Sequence, residues 1–241
     1  MSKEKKILIL GGSSDIGKEL IIKFLNNGYN VTAHYSKNKK NLIGIKKKYK
    51  NLLIFKSNFD KISNKKIGDL LKKSQLNRKD IIINLIGFID NKSFENYNLD
   101  DLINSLKVNA LIPNLIVRKN IKHMLKKNWG RIVNCTTVGI KFGGGEFSYN
   151  YNLAKHCLEF IPGKYKLWAK KNVLINNIRI GHAKTKIHHR MKKLLRGKNR
   201  IKLIPMQRMI NPSEMIEYIY FYSTHLNSYM TGETISVSGG E

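Results

Sequence analysis

The chain has 241 residues, 41% of them apolar, and 45 Lys and Arg stand against 16 Asp and Glu, a formal charge of +29. That length suits one large α/β domain, and the apolar fraction excludes a disordered chain. The positive excess is mostly lysine spread over every segment, so nucleic-acid binding is not expected from it. The longest apolar stretch, IIINLIGFI at 81–89, is interrupted by Asn84 and is too short to span a membrane. Cys135 and Cys157 form no paired motif and suit a reducing compartment, so a cytoplasmic protein is expected.

Apolar runs of strand length alternate with helix-like segments from end to end. KILIL at 6–10 reads as a buried strand. A turn follows, then DIGKELIIKFLNNG, where Ile16, Leu20, Ile21, Phe24 and Leu25 share one helical face and Gly28 stops the helix. NVTAHYS, NLLIFKS and DIIINLIG supply three further strands, separated by lysine-rich helical stretches after Asn38 and Lys61. Their apolar continuity predicts burial on both faces, as in a parallel sheet covered by helices. A long helical segment over 99–127 comes next, then the strand GRIVNCTT and a helix through 147–160. The strand NVLINNIRIG, the helix SEMIEYIYFYSTHL and a last strand TISVSGG complete the chain. No repeat, linker or composition break divides it. The expectation is a single doubly wound α/β domain over 1–241, with a parallel sheet of about seven strands, helices on both faces and ligands at the carboxyl ends of the strands.

Two stretches carry chemistry. In LGGSSDIG, 10–17, Gly11 can make a tight turn, Gly12 adds conformational freedom and Gly17 lets the helix pack closely on the sheet. The helix N-terminus behind them suits a pyrophosphate. In YNLAK, 151–155, Tyr151 and Lys155 lie one helical turn apart on one face, which Tyr149 does not share. A tyrosine in water titrates near about 10, too high for a base at neutrality, and an adjacent ammonium favours its phenolate. Tyr151 can then take a proton from an alcohol or give one to a carbonyl. The plainer alternative is an amphipathic helix in a lysine-rich chain.

In their order these stretches resemble the short-chain dehydrogenase/reductase family. LGGSSDIG resembles its T-G-x-x-x-G-I-G turn, with Leu10 for the threonine and Asp15 for the middle glycine. DIIINLIG resembles its N-N-A-G strand end, keeping Asn84 and Gly87, and KVNALIPN holds the matching asparagine, Asn109. GRIVNCTTVG places Thr137 where the family has a serine, and YNLAK is its Y-x-x-x-K signature. INNIRIGHAKT resembles N-x-x-x-P-G-x-x-x-T, with Ile180 for the proline and Gly181 and Thr185 kept, and TGETISVSGG resembles the last strand. The similarity runs along essentially the whole chain and is closest overall to 3-oxoacyl-[acyl-carrier-protein] reductases. It implies a Rossmann fold and an NAD(P)-dependent oxidoreductase. It further implies Tyr151 as acid/base, Thr137 on the substrate oxygen, Lys155 on the cofactor ribose, and Asn109 in a water chain from Lys155. Cofactor contacts are implied for Gly11, Ser13, Ser14, Ile16, Gly17, Ser36, Lys37, Asn58, Asn84, Gly87, Gly181 and Thr185, beside Tyr151 and Lys155.

The second strand ends TAHYSKNKK, with no carboxylate to bond a ribose 2′-hydroxyl. Ser36 and Lys37, with Lys39 and Lys40 behind them, suit a 2′-phosphate, which favours NADP(H) and leaves NAD(H) open. Segment 182–208 contains no acidic residue and four of the chain's eight arginines. The resemblance makes it a substrate lid, and its charge suggests an anionic substrate, small or bound to an acyl carrier, CoA or a nucleotide. His188 and His189 have no evident third ligand, so no metal site is expected. A homodimer or homotetramer through the long helices is implied, although Pro162 and Gly163 interrupt the second of them. The expected reaction is hydride transfer between a nicotinamide and a carbonyl or secondary alcohol, with a 3-oxoacyl thioester as the first substrate class. A sugar or nucleotide-sugar of surface-polysaccharide synthesis is the alternative. A basic, non-catalytic binding protein on the same scaffold is a third reading, against which Tyr151, Lys155 and Asn109 argue.

Overall fold

The computed structural model describes residues 5–185 and 201–241. Its strands are β1 (Lys6–Leu10), β2 (Asn30–Tyr35), β3 (Leu52–Lys56), β4 (Ile81–Asn84), β5 (Gly130–Thr137), β6 (Val173–Ile180) and β7 (Thr234–Val237). They form one parallel sheet in the order β3-β2-β1-β4-β5-β6-β7. Along β1 the side chains alternate between two cores. Ile7 and Ile9 pack in one with α1 (Asp15–Asn26), α2 (Lys40–Lys48) and α8 (Pro212–Ser223). Leu8 and Leu10 pack in the other with α3 (Asn64–Lys72) and α5 (Ile112–Lys126). Strands covered on both faces need apolar residues at every position, hence ILIL in β1 and III in β4. Truncating a fully buried residue such as Leu20 to alanine is expected to cost about 2–5 kcal/mol.

Chain order runs outward from β1 to β3 on one side and from β4 to β7 on the other. The reversal leaves a crevice at the carboxyl ends of β1 and β4, where the loops diverge above and below the sheet. The segment expected as one helix over 99–127 is helical throughout but changes pitch. α4 (Leu99–Leu106) passes through a π-helical turn, Lys107–Leu111, into α5, and the wide turn carries Asn109. The proline break is sharper than an interruption within one helix. α6 (Tyr149–Glu159) ends before Ile161-Pro162-Gly163, and the separate short helix α7 (Tyr165–Ala169) follows.

A buried asparagine ladder crosses the sheet. Asn84 donates to Asn134, which donates to Asn177 at 3.1 Å, and Asn177 donates to Thr234 Oγ1 at 2.9 Å. The four residues sit side by side on β4, β5, β6 and β7. Asn84 was expected at the cofactor; its amide N–H instead joins the strands, and the residue does not line the cavity.

Candidate active site

The crevice opens into a cavity of about 630 Å³ whose walls come from the ends of five strands. Gly11 follows β1, Ser36 and Lys37 follow β2, Gly87 follows β4, Thr137 ends β5 and Gly181 follows β6; all line it. Ser13, Ser14, Ile16, Tyr151, Lys155 and Thr185 line it too, so twelve of the sequence-predicted residues meet in one space. Gly17, Asn58, Asn84 and Asn109 lie outside the lining.

The glycine turn is set by close approach. Gly11 has φ +80°, and a Cβ there would stand 2.7 Å from the Leu85 carbonyl oxygen. A Cβ on Gly17 would stand 2.8 Å from Gly11 O, so α1 rests directly on the turn. Ser14 caps the helix by accepting from Gly17 N at 3.0 Å, while its own amide donates to Gly11 O. The amides of Ser13 and Ile16 make no hydrogen bond to the described residues, and both residues line the cavity. Unspent amides at a helix N-terminus are anion donors, so the turn fits a dinucleotide pyrophosphate. Asp15, in the first turn of α1, also faces this part of the lining and adds a negative charge there.

At the other end, α6 presents Tyr151 and Lys155. Lys155 is buried, and its Nζ donates to the carbonyls of Ile86 at 2.6 Å and Cys135 at 2.7 Å. Burial pulls its pKa down to about 8, with Cys135 and Glu159 opposing. Two carbonyls hold the ammonium in place, and one N–H of the protonated group is left for a ligand. Nζ lies 5.8 Å from the centre of the Tyr151 ring. The expected lowering of the Tyr151 pKa is not supplied by the protein alone. Burial raises it, and the Lys155 charge is directed at carbonyls rather than at the phenol. Thr137 accepts from Gly139 N at 3.2 Å, which uses a lone pair and leaves its O–H able to donate to a substrate oxygen.

Asn109 is fully buried, and its amide is occupied. Oδ1 accepts from Phe88 N at 2.9 Å; Nδ2 donates to Phe88 O at 2.9 Å and Ser105 O at 3.1 Å. Its side chain clamps the loop after β4 instead of offering a donor to a water chain. Lys155 and Asn109 therefore hold the Ile86-Gly87-Phe88 turn from both sides.

A family model described as enoyl-(acyl carrier protein) reductase matches residues 11–241. The chain belongs to the short-chain dehydrogenase/reductase family. A 3-oxoacyl-[acyl-carrier-protein] reductase of Aquifex aeolicus is 33% identical over 162 residues, which are 67% of this chain and 64% of that protein. Two solved structures share the fold of this short-chain dehydrogenase/reductase. A 3-oxoacyl (acyl-carrier-protein) reductase from Agrobacterium tumefaciens C58 with NADP bound has a TM-score of 0.83 at 21% identity, covering 98% of this chain and 94% of that one. A 4-hydroxyisoleucine dehydrogenase complexed with NADH has a TM-score of 0.86 at 23% identity, covering 98% of each chain.

Other positions carry less of the site than the sequence implied, or more. Asn58 stands behind the cavity and accepts from Ser36 Oγ at 3.0 Å, fixing Ser36. Gly181 is required by the last strand, since a Cβ would stand 2.5 Å from Ser238 Cα. Of the lid segment, 186–200 lies outside the described residues, with His188, His189 and three of the four arginines. The fourth, Arg208, pairs in two hydrogen bonds with Glu214 at the start of α8, so it serves the fold. Sequence reading missed His34, Asp60, Phe88, Phe142 and Asn152, which also line the cavity. No motif marks them; they arrive on turns whose meeting point only the sheet order defines. No cluster of metal-ligating side chains occurs among the described residues.

Proposed function

We propose that this oxidoreductase uses NADP(H) to interconvert a ketone and a secondary alcohol on an acyl thioester, a 3-oxoacyl group on an acyl carrier or CoA. The observation that carries the reading is the meeting of Thr137, Tyr151 and Lys155 in one cavity with an N-terminal helix turn whose amides of Ser13 and Ile16 are unspent. The dinucleotide, when bound, supplies or accepts the hydride. The Thr137 hydroxyl holds the substrate oxygen, and Tyr151 delivers the proton to it or removes it. Lys155, braced by the Ile86 and Cys135 carbonyls, keeps one N–H that would hold the cofactor ribose. Burial raises the Tyr151 pKa and so keeps the phenol protonated in the free protein, the form that can donate to a carbonyl oxygen.

Two features bear on the ligands. Ser36 and Lys37 line the cavity where β2 ends without a carboxylate, which supports a 2′-phosphate; Asp60, in the turn after β3, lines the cavity as well. The named structural neighbours include both cofactors, so the choice rests on these side chains. The cavity walls also include Phe88, Ile89, Val138, Phe142 and Ile180. Apolar walls favour an acyl chain over a polyhydroxyl sugar. Purified protein should bind NADPH at least about tenfold more tightly than NADH, as for one charge-assisted contact. Equal or reversed affinity measured by fluorescence titration contradicts the cofactor assignment. Turnover of nucleotide-sugars with none of 3-oxoacyl thioesters contradicts the substrate class.

A further inference from the structure

We propose that His34 is the residue that sets the glycine turn for the dinucleotide, by holding both of its successive amides from one position on β2. This rests on the dinucleotide reading above and extends it to a residue that no motif marks. The His34 carbonyl accepts from Gly12 N at 2.8 Å, and its ring Nδ1 accepts from Gly11 N at 3.3 Å. Nε2 lies 2.8 Å from the carbonyl oxygen of Ser57. A carbonyl can only accept, so Nε2 carries the proton and Nδ1 keeps the lone pair that meets Gly11. The ring stacks on Phe59 with centroids 4.4 Å apart and planes 9° apart, and it lines the cavity.

One buried side chain thus joins the turn after β1 to the end of β2 and to the segment after β3. Gly11 is pressed from the opposite side by the Leu85 carbonyl, so the turn is gripped between β4 and His34. With the amides of Gly11, Gly12, Ser14 and Gly17 bonded inside the protein, those of Ser13 and Ile16 remain for a pyrophosphate to recruit. A protonated ring would lose the acceptor at Nδ1. Burial holds the pKa near 4, so the ring stays neutral at physiological pH.

Two substitutions separate the ring's two nitrogens. In His34→Asn, Oδ1 replaces Nδ1 as an acceptor for Gly11; in His34→Gln, Nε2 replaces the donor to Ser57 and the Gly11 amide is left without its partner. Both lose the stack on Phe59. NADPH affinity, read by fluorescence titration, should stay within about threefold of wild type in His34→Asn and weaken about tenfold in His34→Gln, the worth of one hydrogen bond. The melting temperatures should fall alike. Equal affinities for the two variants, or affinities that follow melting temperature alone, overturn the inference. Wild type that binds neither NADPH nor NADH overturns the dinucleotide reading instead. Should the Gln variant not fold, the ¹⁵N spectrum of wild-type His34 decides: a bare Nδ1 beside a protonated Nε2 supports the inference, and a protonated Nδ1 overturns it.

Discussion

Tyr151 lines the cavity, and its hydroxyl makes no hydrogen bond to the described residues. Removing that oxygen takes away the proposed proton carrier and little else. Tyr151→Phe should therefore lower kcat by about 10²–10⁴-fold while the dissociation constant for NADPH changes little. Asp15 has the opposite bearing. In the first turn of α1 its carboxylate favours the helix by about 0.3–1 kcal/mol, yet it stands in the lining where a pyrophosphate would lie. Asp15→Asn should bind NADPH about three- to tenfold more tightly at low salt, with the advantage shrinking as salt is added. A titration at two ionic strengths checks both halves. Lys79 offers a pH test away from the cavity. Its Nζ is buried, donates to Thr32 Oγ1 at 2.6 Å, and has its pKa lowered by burial to about 8. The folded protein therefore holds this proton less tightly than the unfolded chain, whose lysine titrates at 10.5. Below pH 8 the cost of burying the charge is present in full, and it is relieved as pH rises from about 8 to 10.5. Wild type should gain stability relative to Lys79→Met across that window, by urea denaturation at stepped pH, and Lys79→Met should be the more stable at pH 7.

Among the elements, α1 and the π-helical turn each hold one loop of the site in place. Gly17 cannot be enlarged without pushing backbone on backbone, since its Cβ would meet Gly11 O and Gly12 Cα within 2.9 Å. Gly17→Val is expected to lower the melting temperature and abolish dinucleotide binding together. Asn109→Ala removes both bonds to the Phe88 backbone and leaves its half-buried amide and carbonyl unpaired, a loss of about 1–2 kcal/mol. Both α1 and its glycine turn were legible in the sequence, because a strand, a glycine turn and an apolar helical stripe are written in adjacent residues. Tyr151 and Lys155 were legible for the same reason, being one helical turn apart. Asn84 was not, since its neighbours Asn134 and Asn177 are set by strand register. Nor were His34 and Asp60, which reach the cavity from different strands. The pitch change at 107–111 left no mark either, because α and π turns draw on the same residues.

For the whole molecule, the doubly wound order of seven strands followed from the alternation of apolar runs and helical stripes, and the site fell where that order reverses. The charge of +29 is a molecular property rather than a site property: among the described residues the cavity is lined by only two lysines, Lys37 and Lys155. Self-repulsion of that size predicts a melting temperature that climbs with added salt before any ligand is present. The central claim, that the cavity performs hydride exchange with Tyr151 as proton carrier, is tested most directly by NADPH consumption with a 3-oxoacyl thioester, comparing wild type with Tyr151→Phe at equal cofactor occupancy. Wild type should consume NADPH in step with formation of the 3-hydroxyacyl product, and the variant should bind NADPH but hold it unreacted. A variant that turns over at the wild-type rate would contradict the account.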